Sequence, residues 1–308
     1  MQRPSPSRVT IALCTRNGAD HLEEQLASYV AQTHDAWDLW VSDDGSTDAT
    51  RDLIDRFAAR HGEGRTIRMV AGPQQGLAMN FLSLLCHPDL PAQPVALSDQ
   101  DDVWHPEKLA LGLAGLSGPG PRLYGAQSIH TDATLTPTGG SHGGDAPSFG
   151  NALVQNIVSG HSAMLDAEAL ALVRRAGVPQ GIPYHDWWLY QLVSGAGGTV
   201  VVRSDRVVLY RQHGGNAMGS HQGINARMAR VAQVFGRAYG SWIAANTDAL
   251  RAVSPLLTPE TRAILKGLYE HPPRPGPARA RAFARHGLHR QGYLGTMVLY
   301  MAVLAGRV

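Results

Sequence analysis

The densest chemistry in this chain is the stretch Ser98-Asp99-Gln100-Asp101-Asp102-Val103-Trp104. Three carboxylates within four residues repel one another, and a purely structural role would not favour that crowding. A divalent cation relieves the repulsion. Hard cations take oxygen ligands, and magnesium typically binds one or two carboxylates together with substrate phosphates. The competing reading is a solvated acidic turn that caps the next helix. A second acidic cluster is Asp43-Asp44-Gly45-Ser46-Thr47-Asp48. It offers a helix cap through Ser46 or Asp48, the acidic pocket of a phosphoryl-accepting domain, or a ligand carboxylate at Asp44. In the last case Asp44 accepts the imide N–H of a uracil or thymine ring. A third polar cluster is Cys14-Thr15-Arg16-Asn17.

The elements that must position these clusters alternate along the first third of the chain. Val9 to Leu13 reads as a buried strand, and Leu39 to Val41, Ile67 to Val70 and Val95 to Leu97 as three more strands. Leu22, Leu26 and Val30 form one helix face, Leu53, Ile54 and Phe57 mark a second helix, and Leu77 to Leu85 a third. Strand–helix alternation with short joints predicts an α/β domain on a mostly parallel sheet. All three polar clusters fall at strand ends, where such sheets bind ligands, so one shared site is expected. No Gly-x-Gly-x-x-Gly follows the first strand, which argues against dinucleotide binding; no Gly-rich loop ends in Gly-Lys-Ser/Thr, which excludes a P-loop enzyme. Further on, a strand is expected near Leu123 to Ile129 and a loop and strand over Asn151 to Asp166. Asp166 to Arg175 and Asp186 to Val193 read as helices, and Thr199 to Val202 with Val207 to Tyr210 as two strands of a hairpin. After Gly215 the pattern is helical, clearest at Arg227 to Ala252 and Thr258 to Leu268.

Composition narrows the class. A chain of 308 residues, 44% apolar, supports one large domain or a domain with an appendage. With 27 basic against 25 acidic residues, it lacks the strong basic excess of a nucleic-acid binder. Cys14 and Cys86 make neither a zinc pattern nor a disulfide framework, so a reducing compartment is expected. Met1 to Arg8 has no apolar signal core, and a cytoplasmic protein is expected.

Taken in order, Ala12-Leu13-Cys14-Thr15-Arg16-Asn17-Gly18, Gln25-Leu26, Ala31-Gln32-Thr33, Val41 to Asp48 and Leu97 to Trp104 resemble family 2 glycosyltransferases of the GT-A fold. The Ser-Asp-Gln-Asp-Asp-Val-Trp variant, with Tyr210-Arg211-Gln212-His213-Gly214-Gly215-Asn216 later on, looks most like the branch containing bacterial rhamnosyltransferases. The resemblance implies a GT-A catalytic domain over residues 1–217 and a helical extension over 218–308. It implies inverting transfer of a sugar, rhamnose favoured, from a dTDP- or UDP-linked donor to a glycan or lipid-linked glycan acceptor. Cys14, Thr15 and Arg16 then touch the nucleoside, although many members carry Tyr where this chain has Arg16. Asp44 reads the pyrimidine. Asp101 ligates Mg²⁺ or Mn²⁺, with Asp99 nearer the ribose and a further candidate ligand. Arg211 and His213 belong to the segment that closes over the diphosphate, and His213 is a third candidate metal ligand.

Inversion also requires a carboxylate that takes the proton of the acceptor hydroxyl. Within His185-Asp186-Trp187-Trp188, Asp186 matches the family's base, though an acidic residue also suits a helix start by itself. The segment Asn156 to His161 resembles the loop on the acceptor side, with Gly160 permitting close approach and His161 a weaker candidate. Trp187 and Trp188 offer flat faces for a sugar or serve as core.

At the C-terminus, Tyr293, Met297, Val298, Met301 and Leu304 form an apolar face after the basic run Arg279, Arg281, Arg285, His286, His289 and Arg290. This reads either as a helix lying on anionic lipid or as a helix packed on its own domain. Gly292 to Gly306 is shorter than the ~20 residues of a spanning helix. Two rival functions share parts of the pattern. A nucleotidyltransferase has a related acidic site, but its Gly-rich basic loop is missing here. A non-catalytic sugar-nucleotide binder is disfavoured by the presence of both Asp101 and Asp186.

Overall fold

The structure is a computed structural model that describes residues 7–141, 143–212, 234–270 and 273–308. Strand β1 (Val9–Thr15), helix α1 (Ala19–Val30), β2 (Trp37–Asp43), α2 (Thr50–His61), β3 (Ile67–Ala71), α3 (Leu77–Leu85) and β4 (Val95–Ser98) alternate as expected. The strands pair in parallel in the order β3-β2-β1-β4. Their register sets Cys14 beside Ser42, Thr15 beside Asp43, and Leu13 beside Ser98. The three polar clusters therefore leave the sheet along one edge.

Side chains alternate across these strands, as the pleat requires. Val9, Ile11 and Leu13 face one apolar layer with Leu22, Leu26, Tyr29, Ile54 and Phe57 from α1 and α2. Ala12 and Cys14 face the other, with Phe81, Leu82 and Leu85 of α3. Both faces of the sheet are thus covered, which is why these strands read as continuous apolar runs. Val30, grouped with Leu22 and Leu26 by spacing, is exposed at the helix end, and Tyr29 takes its place in the core.

The second half is mixed. It comprises β5 (Val103–Trp104), α4 (Lys108–Gly115), β6 (Arg122–Thr131), β7 (Pro137–Gly140), α5 (Phe149–Ala152), β8 (Met164–Leu165), α6 (Ala167–Ala176), α7 (His185–Gly195) and β9 (Thr199–Arg211). The order continues β4-β8-β6-β9-β5, with β8 antiparallel to both neighbours and β7 paired to β6. The hairpin expected over Thr199 to Tyr210 is instead one strand of 13 residues, parallel to β6. Arg203 to Arg206 reads as a turn because it is polar. It is the exposed middle of a strand, and β6 slips register opposite it, near Gln127. The short β5 and β7 have too few residues to carry a pattern.

Helices α8 (Arg237–Ala252), α9 (Pro259–Leu265, followed by a π turn over Lys266–Glu270), α10 (Pro277–Arg285) and α11 (Tyr293–Leu304) complete the described chain. The earlier part of the expected Arg227 to Ala252 helix lies outside the described residues. Phe283 and Leu299 are fully buried in the same apolar layer as Trp188 and Leu165. Arg290, part of the basic run, turns inward, donating to Val154 O at 3.0 Å and to the Tyr239 hydroxyl at 2.9 Å. Asn151 Nδ2 donates to His289 O at 2.9 Å, and Gln291 N donates to Gln155 Oε1 at 2.7 Å. No described helix is long and apolar enough to cross a membrane.

A shared core makes a shared unfolding. Phe283→Ala leaves a cavity and is expected to cost about 3–5 kcal/mol. Calorimetry is expected to show one transition moved down as a whole; a separate early transition with the rest unmoved would mean that the helices fold apart from the sheet.

Candidate active site

A cleft of about 330 Å³ opens at the carboxyl ends of β1, β2 and β4, lined by Cys14, Thr15, Arg16, Asp44, Asp99 and Asp101 together with Leu77, Asn80, Gln100 and Tyr210. A larger hollow of about 560 Å³ lies between α1, β5 and β9, but its walls are mainly apolar and none of the aspartates of the two acidic clusters lines it.

The paired aspartates after β2 have separate tasks. Asp43 accepts from Thr15 Oγ1 at 3.0 Å, Ser46 N at 3.0 Å, Ser46 Oγ at 2.5 Å and Arg51 Nε at 2.7 Å. Burial raises its pKa, but these donors outweigh that and hold it below the usual carboxylate range. Asp43 is therefore a brace for the turn. Asp44 faces the cleft and accepts from Gln74 N at 2.5 Å and Gly76 N at 3.2 Å, fixing the loop after β3 as a cleft wall. Capping falls to Asp48, which accepts from Ala19 N at 3.0 Å and Thr50 N at 3.1 Å, the first residues of α1 and α2.

Gln100 joins the first loop to the Asp-rich loop. Its Oε1 accepts from Arg16 N at 2.8 Å and its Nε2 donates to Arg16 O at 3.0 Å. A Cβ at Gly18 would collide with this carboxamide. The Arg16 side chain lines the cleft while its backbone is pinned to Gln100.

The three carboxylates after β4 are not a solvated turn. Burial, then the charges of Asp101 and Asp186, push the Asp99 carboxyl up to about 7. Asp102 is fully buried, and burial with Asp99 and Asp101 drives its pKa far up. Lys108 is also fully buried, and burial drives it far down against the pull of Asp102 and Asp99. Its Nζ donates to His161 O at 2.6 Å and lies 3.2 Å from the centre of the Trp104 ring. Asp99 Oδ1, Asp102 Oδ2 and His161 Nε2 are buried with no hydrogen-bond partner. Ligand atoms of these three residues lie within 4.8 Å of one another, a set able to hold a metal ion. Burial, then Lys108 and His130, lower His161 to about 3, so its ring is neutral.

Asp186 opens α7. Its Oδ2 accepts from Gly160 N at 3.0 Å and its Oδ1 from Trp187 N at 2.7 Å. A Cβ at Gly160 would stand 2.6 Å from His185 Nε2, so only glycine lets this loop approach the helix start. His185 is buried and stacks on Phe81 with centroids 4.1 Å apart. His161 stacks on Tyr210 at 4.7 Å.

Other expected site residues lie elsewhere. Trp187 and Trp188 are both core: they are 4% and 0% exposed, and Trp187 Nε1 donates to Ala152 O at 2.7 Å. Neither offers a face to a sugar, because α7 is buried on nearly every side. Arg211 is 2% exposed and stands behind the cleft. Its guanidinium donates to Ala133 O, to Glu24 and, at 3.0 Å, to Asp101 O, while its N–H reaches Asp102 Oδ1 at 3.2 Å. His213 lies outside the described residues. Gln100 and Lys108 were missed by sequence reasoning. For Lys108 the usable signal was a cation six residues after an acidic cluster; for Gln100 there was none.

Parallel strands ending in an acidic, cation-ready cleft are the layout of a nucleotide-diphospho-sugar transferase, the GT-A fold. The chain belongs to glycosyl transferase family 2, whose model matches residues 10–176. It is similar to the dTDP-rhamnosyl transferase RfbG of Shigella flexneri, 24% identical over 247 residues that span 77% of this chain and 84% of that one. Among solved structures, the mannosyltransferase PcManGT from Pyrobaculum calidifontis, in complex with GDP-Man and Mn²⁺, shares the fold with a TM-score of 0.53 at 19% identity, over 98% of this chain and 86% of that one. S. aureus TarS, residues 1–349 in complex with UDP-GlcNAc, does so with a TM-score of 0.56 at 14% identity, over 97% and 91%.

Gly160→Ala would push His185 and the start of α7 apart. Donor turnover is expected to fall by roughly tenfold or more, since small misplacements in a site are costly, while donor affinity stays within about twofold. Equal loss of both would mean that the loop shapes the donor cleft instead. A second expectation concerns acid. His161 and His185 are both held below their ordinary value by burial. Such groups contribute stability that is present above pH ~6.5 and lost as pH falls towards the folded pKa. Thermal stability is expected to drop between about pH 6.5 and 4, and the drop is expected to shrink in His161→Gln.

Proposed function

We propose that this protein transfers a sugar, rhamnose by preference, from a pyrimidine nucleoside diphosphate to a hydroxyl of a glycan acceptor, with inversion, in the building of a surface polysaccharide at the cytoplasmic face of the membrane. The observation that carries the reading is the gathering of Asp44, Asp99 and Asp101 on one cleft, with the Asp186 carboxylate close enough for its charge to act on Asp99. The likeness to RfbG supports a deoxysugar on a thymidine nucleotide.

The loop after β1 supports the nucleoside, with Cys14, Thr15 and Arg16 against it. Both oxygens of Asp44 already hold the loop after β3, and the residue lines the cleft, where an imide N–H would bind to it. The residues fit a divalent cation, since Asp99 keeps a buried oxygen without a partner and is driven towards neutrality by burial and then by the charges of Asp101 and Asp186. Asp99 and Asp101 are the ligands on the cleft side. Asp102 and His161 lie deeper, beside the buried Lys108. A cation held there supplies Lewis-acid charge to the departing diphosphate. Asp186, fixed by two backbone N–H groups, takes the proton from the acceptor hydroxyl as that oxygen attacks the anomeric carbon.

Asp186→Asn keeps the side-chain shape and one of the two acceptor oxygens but cannot take a proton. Sugar transfer is expected to fall by about 10²–10⁴ with donor affinity retained; transfer at the wild-type rate would refute the assignment. Excess chelator is expected to stop turnover, and added Mg²⁺ or Mn²⁺ to restore it. Full activity in chelator would remove the metal from the mechanism. Release of diphosphate from a nucleoside triphosphate would favour a nucleotidyltransferase instead.

A further inference from the structure

Helix α11 presents a problem that the rest of the molecule does not. Its 12 residues contain no charge and are apolar nearly all round. A helix of that kind is ordinarily buried. Here one side is: Leu299, Ala302 and Val303 are covered by the domain. The other side is open, with Tyr293 79%, Leu294 74%, Met297 41%, Met301 47% and Leu304 50% exposed. At 100° per residue these five fall on one arc of the helix, so they form a ridge about 18 Å long. Large exposed apolar patches mark an interaction surface.

The charge around the ridge says what covers it. Residues 271–308 contain six arginines and no aspartate or glutamate, in a chain whose charges are otherwise nearly balanced. Arg274, Arg281, Arg285 and Arg307 are exposed. Asp145, which reaches this end from another loop, has its carboxylate on Gly292 N at 2.9 Å. Glu270 faces Arg251 at 3.9 Å. A second copy of this chain is a poor cover, because a two-fold contact through α11 would set the same arginines against each other with no acids of this segment to answer them.

We infer that α10 and α11 form a surface that lies on an anionic lipid bilayer, with the ridge of α11 sunk among the headgroups and the arginines of α10 on the lipid phosphates. Apolar burial and cationic attraction add in such binding. The helix is too short to span, so it lies in the plane of the surface. The turn before α11 is tied to the 151–155 loop through His289, Arg290 and Gln291. That loop in turn is tied to α7 through Ala152, which accepts from Trp187 and Gln191. A docked protein therefore holds α7, the helix that begins at His185 and Asp186, at a fixed setting relative to the lipid.

The test is flotation of the full chain with vesicles of equal parts phosphatidylglycerol and phosphatidylcholine, and with phosphatidylcholine alone. Binding is expected to the anionic vesicles, to weaken with added salt, and to be slight on phosphatidylcholine. Leu294→Ser/Met297→Ser and Arg281→Glu/Arg285→Glu are each expected to lower vesicle affinity by about tenfold or more. Donor hydrolysis in vesicle-free buffer is expected to match the wild type in both, which shows intact folding. The readout is binding, so it stands or falls apart from the transferase reading. Equal binding to the two vesicle types, or binding that neither pair alters, would overturn the inference. So would a stable dimer of the wild type that Leu294→Ser/Met297→Ser dissociates.

Discussion

Like charge crowded into a place with little water is the constraint that the rest of this structure answers. Asp99, Asp101 and Asp102 follow one another at the end of β4, and Asp102 has no exposure at all. Coulomb repulsion grows as the local dielectric falls, so each carboxylate needs an answer from elsewhere in the chain. Lys108 comes from α4. The backbone N–H of Arg211, at the end of β9 and more than a hundred residues away, reaches the Asp102 carboxylate, while its guanidinium holds the Asp101 backbone carbonyl. The two-residue strand β5 makes the second answer possible: pairing Val103 with Leu209 and Trp104 with Val208 lays the Asp-rich loop alongside Arg211. A strand too short to see in the sequence thus closes the electrostatics of the cleft.

The proposed acceptor side is held differently. Asp186 is positioned by packing. Trp187, Trp188, Leu189 and Tyr190 bury α7 almost completely, and Tyr190 reaches Asn151 and Ser148 to fix the segment beneath it. The first turn of this helix then has little freedom, and the Gly160 N–H sets the carboxylate's direction. The cleft at the strand ends is therefore built from charge and loops, and the proposed acceptor side from a rigid apolar helix.

What could be read beforehand follows from this difference. The first four strands and three helices were legible because the sheet is covered on both faces, so β1, β2 and β4 each carry an apolar run and each helix has a buried stripe; β3, at the edge, is interrupted by Arg68. Asp44, Asp99 and Asp101 were legible because polar clusters at parallel strand ends converge by topology. Asp186 was not legible from its own surroundings, since an acidic residue at a helix start has an ordinary explanation; only the order of motifs raised it. Trp187 and Trp188 misled because an aromatic residue beside a candidate base looks like a sugar platform, while the burial of α7 depends on segments far away in sequence. Arg211 misled for a similar reason: its type suits a phosphate, but β9 delivers it behind the cleft, next to Glu24. The one-strand nature of Thr199–Arg211 was hidden by a polar middle that a register slip accommodates.

Cys14 stands in the wall of the cleft, where its neighbours have a further effect on it. Burial, then the charges of Asp99 and Asp44, hold its thiol far above the ordinary value. Oxidants and alkylating reagents act on the thiolate, and this one is scarcely formed. Burial, reinforced by the acidic surroundings that suit a cation, therefore also leaves this thiol a weak nucleophile in the cleft.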